Sequence, residues 1–441
     1  MSIGVLQPLP LLQTLNVSSI VVTNVEGGFQ QLRNLKVVDL RGSPMSTFPR
    51  DVFKGLDILR TVYTDNYKLC CPRILPSDTV NCYAPLDEIS SCEDLLRSGV
   101  YRVVLLVFAI LTLLGNLINF VYRMFVDRTA SSQGYGVFVL HLCVSDFLMG
   151  LYLALIGVAD RVYLGSYQWN DETWRHSATC SVAGVMSFVS SEVSVLAICF
   201  ITLDRFLVLR FPFSRFHFQR RSAHVVCVLA WCIGMCLAVV PLLPVTSHWQ
   251  FYRQKAICIP LPITRSDFAG RDYSFGVIVV LNFTLFLLIG VGQAFIFWSV
   301  RMNTMSAGVT TSKAKDMTVA RRLFTVAMSD FCCWFPIGLL ALLAARGTPV
   351  PGEVNVAMAL FVLPLNSAIN PFLYTLNILL ERRRRAREQH IQQTMDKTNI
   401  LFTKEEAWKL LKLWMNRGVL SSQEVFRITN ETNDLLFDAD H

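Results

Sequence analysis

Seven long apolar blocks dominate the sequence and limit the folds open to it. They lie near residues 101–123, 135–159, 178–209, 222–245, 273–300, 317–344 and 354–376. A helix needs about 20 predominantly apolar residues to cross a bilayer, and every block reaches that length. The whole chain is 16% charged, below the roughly 25% that is usual in a soluble domain. The pattern predicts a mainly α protein, a seven-transmembrane helix bundle in contact with a lipid bilayer.

Basic residues predict how this bundle is oriented. Arginine and lysine are concentrated in the connections after the first, third and fifth blocks, and in ERRRRAR, residues 381–387, after the seventh. Loops rich in these residues stay on the cytosolic side of a membrane. We therefore expect a multi-pass plasma-membrane protein with its N-terminus outside and its C-terminus in the cytosol. The formal net charge of +8 fits this distribution better than nucleic-acid binding.

Cysteine positions agree with that orientation. Six of the thirteen cysteines lie outside the apolar blocks, all on the predicted outer face: Cys70, Cys71, Cys82, Cys92, Cys180 and Cys258. An even set in an oxidising compartment favours disulfides. Cys180 opens the third block and Cys258 lies in the next outer loop, so these two are expected partners. The pairing of the other four stays open.

The first hundred residues carry an internal repeat. LLQTLNV, LKVVDLR and LRTVYTD recur about every 23–24 residues, the period of leucine-rich repeats, in which each repeat contributes a short strand. A short α/β cap with chance periodicity is the alternative. Because solenoids need several repeats and a cap, we expect the segment to be the last piece of a longer ectodomain. Asn16, in Asn-Val-Ser, is a candidate glycosylation site.

These patterns predict four domains along the chain. In order they are partial extracellular repeats, a cysteine-containing hinge, the seven-transmembrane bundle and a cytosolic tail with amphipathic helices, at 1–69, 70–99, 100–377 and 378–441. In the tail, Thr403–Arg417 has apolar residues on one helical face behind a capping box. It is interpreted as a helix lying on the membrane or, alternatively, as a docking helix for a partner such as calmodulin.

Polar residues recur inside the apolar blocks. Buried carboxylates need partners, and Asp146 is expected to find them around a cation or water, in a buried polar or sodium-like site formed with Asn116, Ser194, Asn366 and Asn370. No other metal site is evident. Pro336 and Pro371 interrupt backbone hydrogen bonding and are candidate hinges.

Other classes of function are poorly supported by the sequence. It contains no zinc-finger spacing, Walker loop, GxSxG or HExxH motif, so we expect no enzyme activity, no cofactor and no nucleic-acid partner. A membrane transporter is a weak alternative, because no inverted repeat or pair of interrupted helices is visible.

Motifs in the third, sixth and seventh blocks identify a resemblance. The chain resembles rhodopsin-like (class A) G-protein-coupled receptors, and the resemblance covers all seven blocks. Asp204-Arg205-Phe206 is similar to the family's DRY motif, CWFP to CWxP, and NPFLY to NPxxY. Cys180 and Cys258 match the family's disulfide between the third span and the second outer loop. Within the family the chain is most similar to leucine-rich-repeat hormone receptors, closest to relaxin receptors and invertebrate relatives, because of Asp330, the upstream repeats and DEISSCEDLLRS before the first block.

The resemblance implies roles for particular residues. Arg205 is implied to be restrained by Asp204 while the receptor is off, and to line the G-protein cavity when it is on. Asp330 is implied to hydrogen-bond Asn366 or Asn370 and to hold the sixth and seventh blocks in the resting packing. The implied coupling and switch set comprises Asp204, Arg205, Asp330, Trp334, Pro336, Asn370, Pro371 and Tyr374.

The resemblance also implies partners. These are a peptide or protein hormone outside, relaxin-like in the nearest subgroup, and a heterotrimeric G protein, of the adenylate-cyclase-stimulating type, and arrestin inside. Gln293 stands where the family usually has a tyrosine that supports the active state, and the ectodomain is short. A truncated or decoy receptor that does not signal is therefore the main alternative.

Overall fold

A computed structural model describes most of the chain. The described residues are 9, 11–18, 20, 29–43, 48–85, 87–127, 134–211, 218–259, 269–306, 311–348, 350–373 and scattered positions between 386 and 417. Side chains at 209, 300–306, 311–324, 326, 327 and 330 are outside this description. Tyr374, most of the 381–387 run and most of Thr403–Arg417 also lie outside the described residues.

Seven helical spans cover the seven apolar blocks. In chain order they are Gly99–Phe125, Gly134–Val162, Ala178–Arg210, Arg220–Val239, a fifth from Arg271 to Ser306, Thr311–Ala345, and a seventh from Gly352 to Pro371. In the described part of the chain, six helices are long and apolar enough to cross a membrane, and the sixth span contributes a shorter apolar stretch, Phe331–Ala345. The third span packs against the second, fourth and fifth, so it lies at the centre of the bundle.

Local sequence sets where several spans begin and where they deform. Ser98 and Ser177 cap the first and third spans by accepting hydrogen bonds from the backbone N–H groups of Val100 and Cys180, as N-cap serines do. Wide π-helical turns occur at Phe275–Leu281 in the fifth span and Met358–Val362 in the seventh. Such turns break the regular hydrogen-bond ladder and often lie at functional sites.

Before the spans, four short strands form a parallel sheet. β1 (Thr14–Asn16), β2 (Val37–Asp39), β3 (Thr61–Tyr63) and β4 (Asn81–Tyr83) pair in sequence order. The register places Leu15 beside Val38 and Val38 beside Val62, and these three side chains are buried in one apolar core. Parallel neighbours joined by long return segments are the arrangement that the repeat period predicts. β4 extends the sheet into the 70–99 segment.

Disulfides tie this sheet to the segment before the first span. Cys70 pairs with Cys82, and Cys71 pairs with Cys92, which resolves the pairing that the sequence left open. Cys180 pairs with Cys258 as expected. Asn16 is exposed at the end of β1, where its side-chain oxygen accepts a hydrogen bond from the Ser18 N–H. Its amide is therefore accessible at the surface.

Candidate functional site

The arginine of the Asp204-Arg205 pair is held at two points. Arg205 Nη2 lies 3.2 Å from Asp204 Oδ2, and its guanidinium carbon lies 4.4 Å from the centroid of the Tyr135 ring on the second span. Asp204 is buried, while the Arg205 side chain is 20% exposed. Arg205 Nε has no hydrogen-bond partner among the described residues. The pair therefore leaves part of a permanent cation unpaired at the predicted cytosolic end of the third span.

Gln293 links the third and fifth spans near this arginine. Its Nε2 donates to Thr202 Oγ1 at 2.9 Å, and Thr202 Oγ1 in turn donates to the Ile198 carbonyl. Both side chains are buried. Gln293, which stands where a tyrosine is usual in similar receptors, is thus hydrogen-bonded to Thr202, three positions before Arg205.

Asp146 is the centre of a buried hydrogen-bond network in the middle of the bundle. Ser194 Oγ donates to its Oδ1 at 3.2 Å, and Asn370 Nδ2 donates to its Oδ2 at 2.8 Å. The network joins the second, third and seventh spans.

The other two members of the predicted sodium-like site, Asn116 and Asn366, form different hydrogen bonds. Asn116 Nδ2 donates to the carbonyls of Thr112 and Ser367, at 2.9 and 3.1 Å. No bond joins Asn366 to Asp146 among the described hydrogen bonds. The amide oxygens of Asn116, Asn366 and Asn370 are buried without a hydrogen-bond partner in the described structure. Carboxylate, hydroxyl and amide oxygens are the ligands that hard cations prefer, so this set has suitable chemistry for one.

Replacing Asp146 with alanine is expected to lower the free energy of unfolding by about 1–3 kcal/mol, because Ser194 and Asn370 lose a buried acceptor. Thermal unfolding of the protein in lipid nanodiscs measures this effect. Asp146→Asn is the matched control, because its amide oxygen still accepts a hydrogen bond and should recover part of the loss. An unfolding temperature for Asp146→Ala equal to that of the wild type would contradict the network.

The switch residues of the sixth and seventh spans are only partly described. Trp334 stacks on Phe286 of the fifth span at 5.9 Å between ring centroids, and both prolines, Pro336 and Pro371, lie inside their helices. Asp330 lies in the sixth helix, but its side chain is outside the described residues, as is all of Tyr374. The implied contact of Asp330 with Asn366 or Asn370 therefore stays a prediction.

A small cavity inside the bundle is lined by Trp334 of the sixth span and by residues of the third span. Its volume is about 20 Å³, room for about one water molecule, and Glu192 and Ser191 contribute to its lining. Asn282 Nδ2 donates to Glu192 Oε1 at 3.0 Å. This contact gives the buried carboxylate a partner and links the third and fifth spans, as the Gln293–Thr202 contact does ten positions further along the third span.

At the end of the bundle predicted to face outside, a cluster of charged residues joins the spans to the segment before them. The cluster is centred on Asp171 in the short outer helix Tyr167–Arg175, which the sequence did not predict. Asp171 pairs with Lys68, accepts from the Tyr167 hydroxyl, and lies 2.6 Å from Arg175 Nε. Burial acts to raise the pKa of Asp171, but Arg175 and Lys68 outweigh it and hold that pKa below its usual range.

Arg175 connects this cluster to two other segments. Its Nη2 donates to Asp87 Oδ2 at 3.0 Å, and its Nη1 donates to the Gln254 carbonyl at 2.9 Å. Neighbouring Asp171 and Asp87 raise the pKa of Arg175 well above its usual range, although burial opposes them. One side chain therefore joins the outer helix, the segment before the first span and the second outer loop.

Acidic residues of DEISSCEDLLRS contact three separate spans or loops. Asp87 binds Arg175 as above, Glu88 accepts from Asn355 of the seventh span at 3.3 Å, and Asp94 lies 2.6 Å from Arg102 of the first span. Arg102 Nε also donates to Asp160 of the second span at 2.8 Å. Movement of this segment would therefore be transmitted directly to the bundle.

A polar cavity of about 700 Å³ opens beside these contacts. Lys68, Asp87 and Arg175 line it together with two basic residues of the second outer loop, Arg253 and Lys255. The lining also includes four acidic side chains, Asp65, Asp87, Asp171 and Glu172, so both signs of charge face the cavity. Among the described residues, no salt bridge is recorded to Arg253 or Lys255.

Comparison with known proteins identifies the family. The seven-transmembrane receptor pattern of the rhodopsin family matches residues 115–374. The chain belongs to this family. The receptor is 39% identical over 326 residues to the G-protein coupled receptor GRL101 of Lymnaea stagnalis, across 74% of this chain and 29% of that protein.

Hormone receptors are also among its relatives. Human relaxin receptor 2 is 31% identical over 343 residues, across 77% of this chain and 45% of that receptor. The chicken (Gallus gallus) lutropin-choriogonadotropic hormone receptor is 30% identical over 341 residues, across 75% and 42%. The chain therefore spans less than half the length of these relatives. The seven-transmembrane fold and the resemblance to leucine-rich-repeat hormone receptors are confirmed, and these relatives are receptors rather than enzymes.

Sequence reasoning missed several residues of the sites. Tyr135, the partner of the Arg205 guanidinium, carries no signal in the sequence, because a tyrosine at the start of a span is also typical of a membrane interface. Asp171 and Arg175 have the i, i+4 spacing of a helical ion pair, a signal that was available. The contact of Lys68 with Asp171 bridges 103 positions of the printed sequence, and no local pattern encodes it.

Proposed function

We propose that this receptor responds to a peptide or protein hormone of the relaxin class and activates a heterotrimeric G protein, the adenylate-cyclase-stimulating type. Three sets of contacts support the proposal: those of the segment before the first span, the Asp146 network and the Asp204–Arg205 pair. Asp87, Glu88 and Asp94 engage the spans outside, and the Asp146 network joins three spans below them. Similarity to relaxin receptors supports the class of ligand.

Coupling is proposed to proceed by a shift between two packings of the spans. A hormone changes this equilibrium only if it binds the active packing better than the resting packing. In the resting packing Asp204 restrains Arg205. In the active packing Arg205 is freed to meet acceptors on the G protein, a role suited to its planar group and permanent charge. Trp334, Pro336, Asn370, Pro371 and Tyr374 are proposed to carry the change through the sixth and seventh spans, and arrestin is a further proposed partner.

The outer side is proposed to receive the hormone, with the plasma membrane as the site of action. The repeat sheet and the polar cavity of about 700 Å³ both lie on the side that the basic loops predict to be outside. Arg253 and Lys255 line that cavity and would attract acidic groups of a peptide. The Cys70–Cys82 and Cys71–Cys92 disulfides suit an oxidising exterior.

Hormone-stimulated cyclic AMP tests this proposal. Cells expressing the chain, and cells expressing it with Arg205→Ala at matched surface level, are treated with a relaxin-like peptide. A rise in cyclic AMP in the first and none in the second is the expected result. A response of the same size in untransfected cells, or one unaffected by Arg205→Ala, would contradict hormone-driven coupling through this chain.

A decoy receptor is the second candidate function. Gln293, in place of the usual tyrosine, motivates it, and its hydrogen bond to Thr202 would hold the third and fifth spans together. A decoy predicts hormone binding at the cell surface without any G-protein response. The variant Gln293→Tyr distinguishes a signalling receptor from a decoy. If only this variant signals, Gln293 is what prevents signalling in the natural chain.

A further inference from the structure

We infer that Tyr135 is a second restraint on Arg205, acting through its ring face, and that it stabilises the resting receptor beside Asp204. The inference rests on the proposed function, in which release of Arg205 permits coupling. The guanidinium carbon of Arg205 lies 4.4 Å from the Tyr135 ring centroid. A cation within about 6 Å of a ring centroid is attracted to the ring face.

The surroundings of the Arg205 guanidinium strengthen its interaction with the Tyr135 ring. Its salt bridge to Asp204 involves one terminal nitrogen at 3.2 Å, and Nε is buried with no hydrogen-bond partner in the described structure. The side chain is 20% exposed, so water solvates it only partly. A guanidinium in this position interacts with an aromatic face more strongly than a fully hydrated one does.

The start of the second span fixes where the Tyr135 ring lies. Gly134 begins that helix, and a Cβ atom there would lie 2.2 Å from the Phe218 carbonyl oxygen. The backbone of the second span therefore approaches the segment leading into the fourth span closely. Phe138 packs one turn further on against Phe218 and Phe200, at 5.3 and 5.9 Å between ring centroids.

These contacts determine how Tyr135 can act on the position of the third span. The ring belongs to a span start that packs against the segment before the fourth span and, through Phe138, against Phe200 of the third span, whereas Arg205 lies near the end of the third span. Movement of that end of the third span relative to the start of the second separates the cation from the ring. The contact therefore favours one relative position of the two spans, and its loss favours the other. Tyr135 is a positioning residue that acts through Arg205.

A double-mutant cycle tests the contact without any G protein. Thermal unfolding is measured in lipid nanodiscs for the wild type, Tyr135→Leu, Arg205→Met and the double variant. Tyr135→Leu is expected to lower the unfolding temperature by about 2 °C with Arg205 present, and by less than half as much with Met at 205. Additive effects of the two substitutions would overturn the contact.

Basal cyclic AMP tests the role of the contact. Tyr135→Leu is expected to raise it about three- to fivefold at matched surface level, since a cation–π contact of this kind shifts an equilibrium by that factor. Tyr135→Phe keeps the ring face and should restore the restraint. Tyr101→Leu, which removes a half-buried aromatic ring at the other end of the bundle, is the matched control.

Asp204→Asn separates failure of the inference from failure of the proposed function. If Asp204→Asn raises basal cyclic AMP and Tyr135→Leu does not, the restraining role of Tyr135 is wrong while coupling stands. If Tyr135→Phe raises it as much as Tyr135→Leu, the hydroxyl rather than the ring is responsible, which also overturns the inference. If none of these variants signals, the proposed coupling is wrong, and additivity in the unfolding cycle then decides whether the contact exists.

Discussion

Replacing Asp171 with asparagine is expected to remove most of the receptor from the cell surface. The substitution keeps the size of the side chain but removes the negative charge shared by Lys68 and Arg175. Lys68 is buried against it, with 8% of its side chain exposed, and Arg175 is 15% exposed. Loss of one partner from a buried ion pair costs about 3–5 kcal/mol, because the remaining charge is desolvated and uncompensated. That cost applies here to Lys68, whereas Arg175 keeps its pair with Asp87. A domain stability of about 5–15 kcal/mol leaves little margin for that loss.

Surface immunostaining and thermal unfolding measure the effect of Asp171→Asn. Glu172→Gln is the matched control, because Glu172 is the next residue of the same outer helix and its side chain is 30% exposed in a pair with His176. Exposed pairs contribute about 0–1 kcal/mol, so this control should reach the surface normally. Normal surface staining of Asp171→Asn would contradict the role of the cluster in joining the outer segment to the bundle.

The pH dependence of this cluster follows from the lowered pKa of Asp171. A carboxyl group with a lowered pKa in the folded state stabilises the folded protein. This contribution is fully present above the pKa of the unfolded state, about 3.9, and is lost as the pH falls through the pKa of the folded state. Between pH 7.5 and 5.5, the difference in unfolding temperature between wild type and Asp171→Asn should therefore stay constant. A difference that shrinks over this range would show that another titrating group controls the cluster.

Replacing Cys180 with serine is expected to block surface delivery as well. The Cys180–Cys258 disulfide is fully buried and closes 78 positions of chain between the third span and the second outer loop. Removal of a native disulfide typically costs about 2–5 kcal/mol. The loop that it holds inserts Tyr252 against Gly184 of the third span, where a Cβ atom would lie 2.2 Å from the Tyr252 ring. Loss of the disulfide therefore also loosens a closely packed contact.

The matched control for Cys180→Ser is Cys232→Ser, which removes an exposed free thiol from the fourth span. It should leave surface level and unfolding temperature unchanged. Cys258→Ser should reproduce the defect of Cys180→Ser, and the double variant should be no worse than either single variant. Normal surface delivery of Cys180→Ser would contradict a stabilising role of the disulfide.

Most of the fold could be predicted from sequence because it depends on patterns that are local and strong. Each span is a run of about 20 apolar residues, and its helical structure follows from the lack of hydrogen-bonding partners in lipid. The repeat period likewise predicts parallel strands. β4 was missed because its Asn-Cys-Tyr sequence lacks the leucines of the other repeats and lies in a stretch dominated by cysteines.

The candidate site could be predicted where its residues occur in motifs, and not where they meet through packing. Asp146, Ser194 and Asn370 stand out as polar residues in apolar spans, and a buried carboxylate requires such donors. Lys68, Tyr135 and Asn282 do not stand out, because an isolated lysine, tyrosine or asparagine occurs in many environments. Their partners lie tens of residues away or more, so only the assembled spans reveal them.

The central claim is that Arg205 couples this receptor to a G protein, and one comparison tests it most directly. Basal cyclic AMP is measured in cells expressing the chain and in cells expressing Arg205→Ala at the same surface level. We predict a basal signal above untransfected cells that is lost in Arg205→Ala. Equal signals from the two chains at equal surface level would contradict coupling through Arg205.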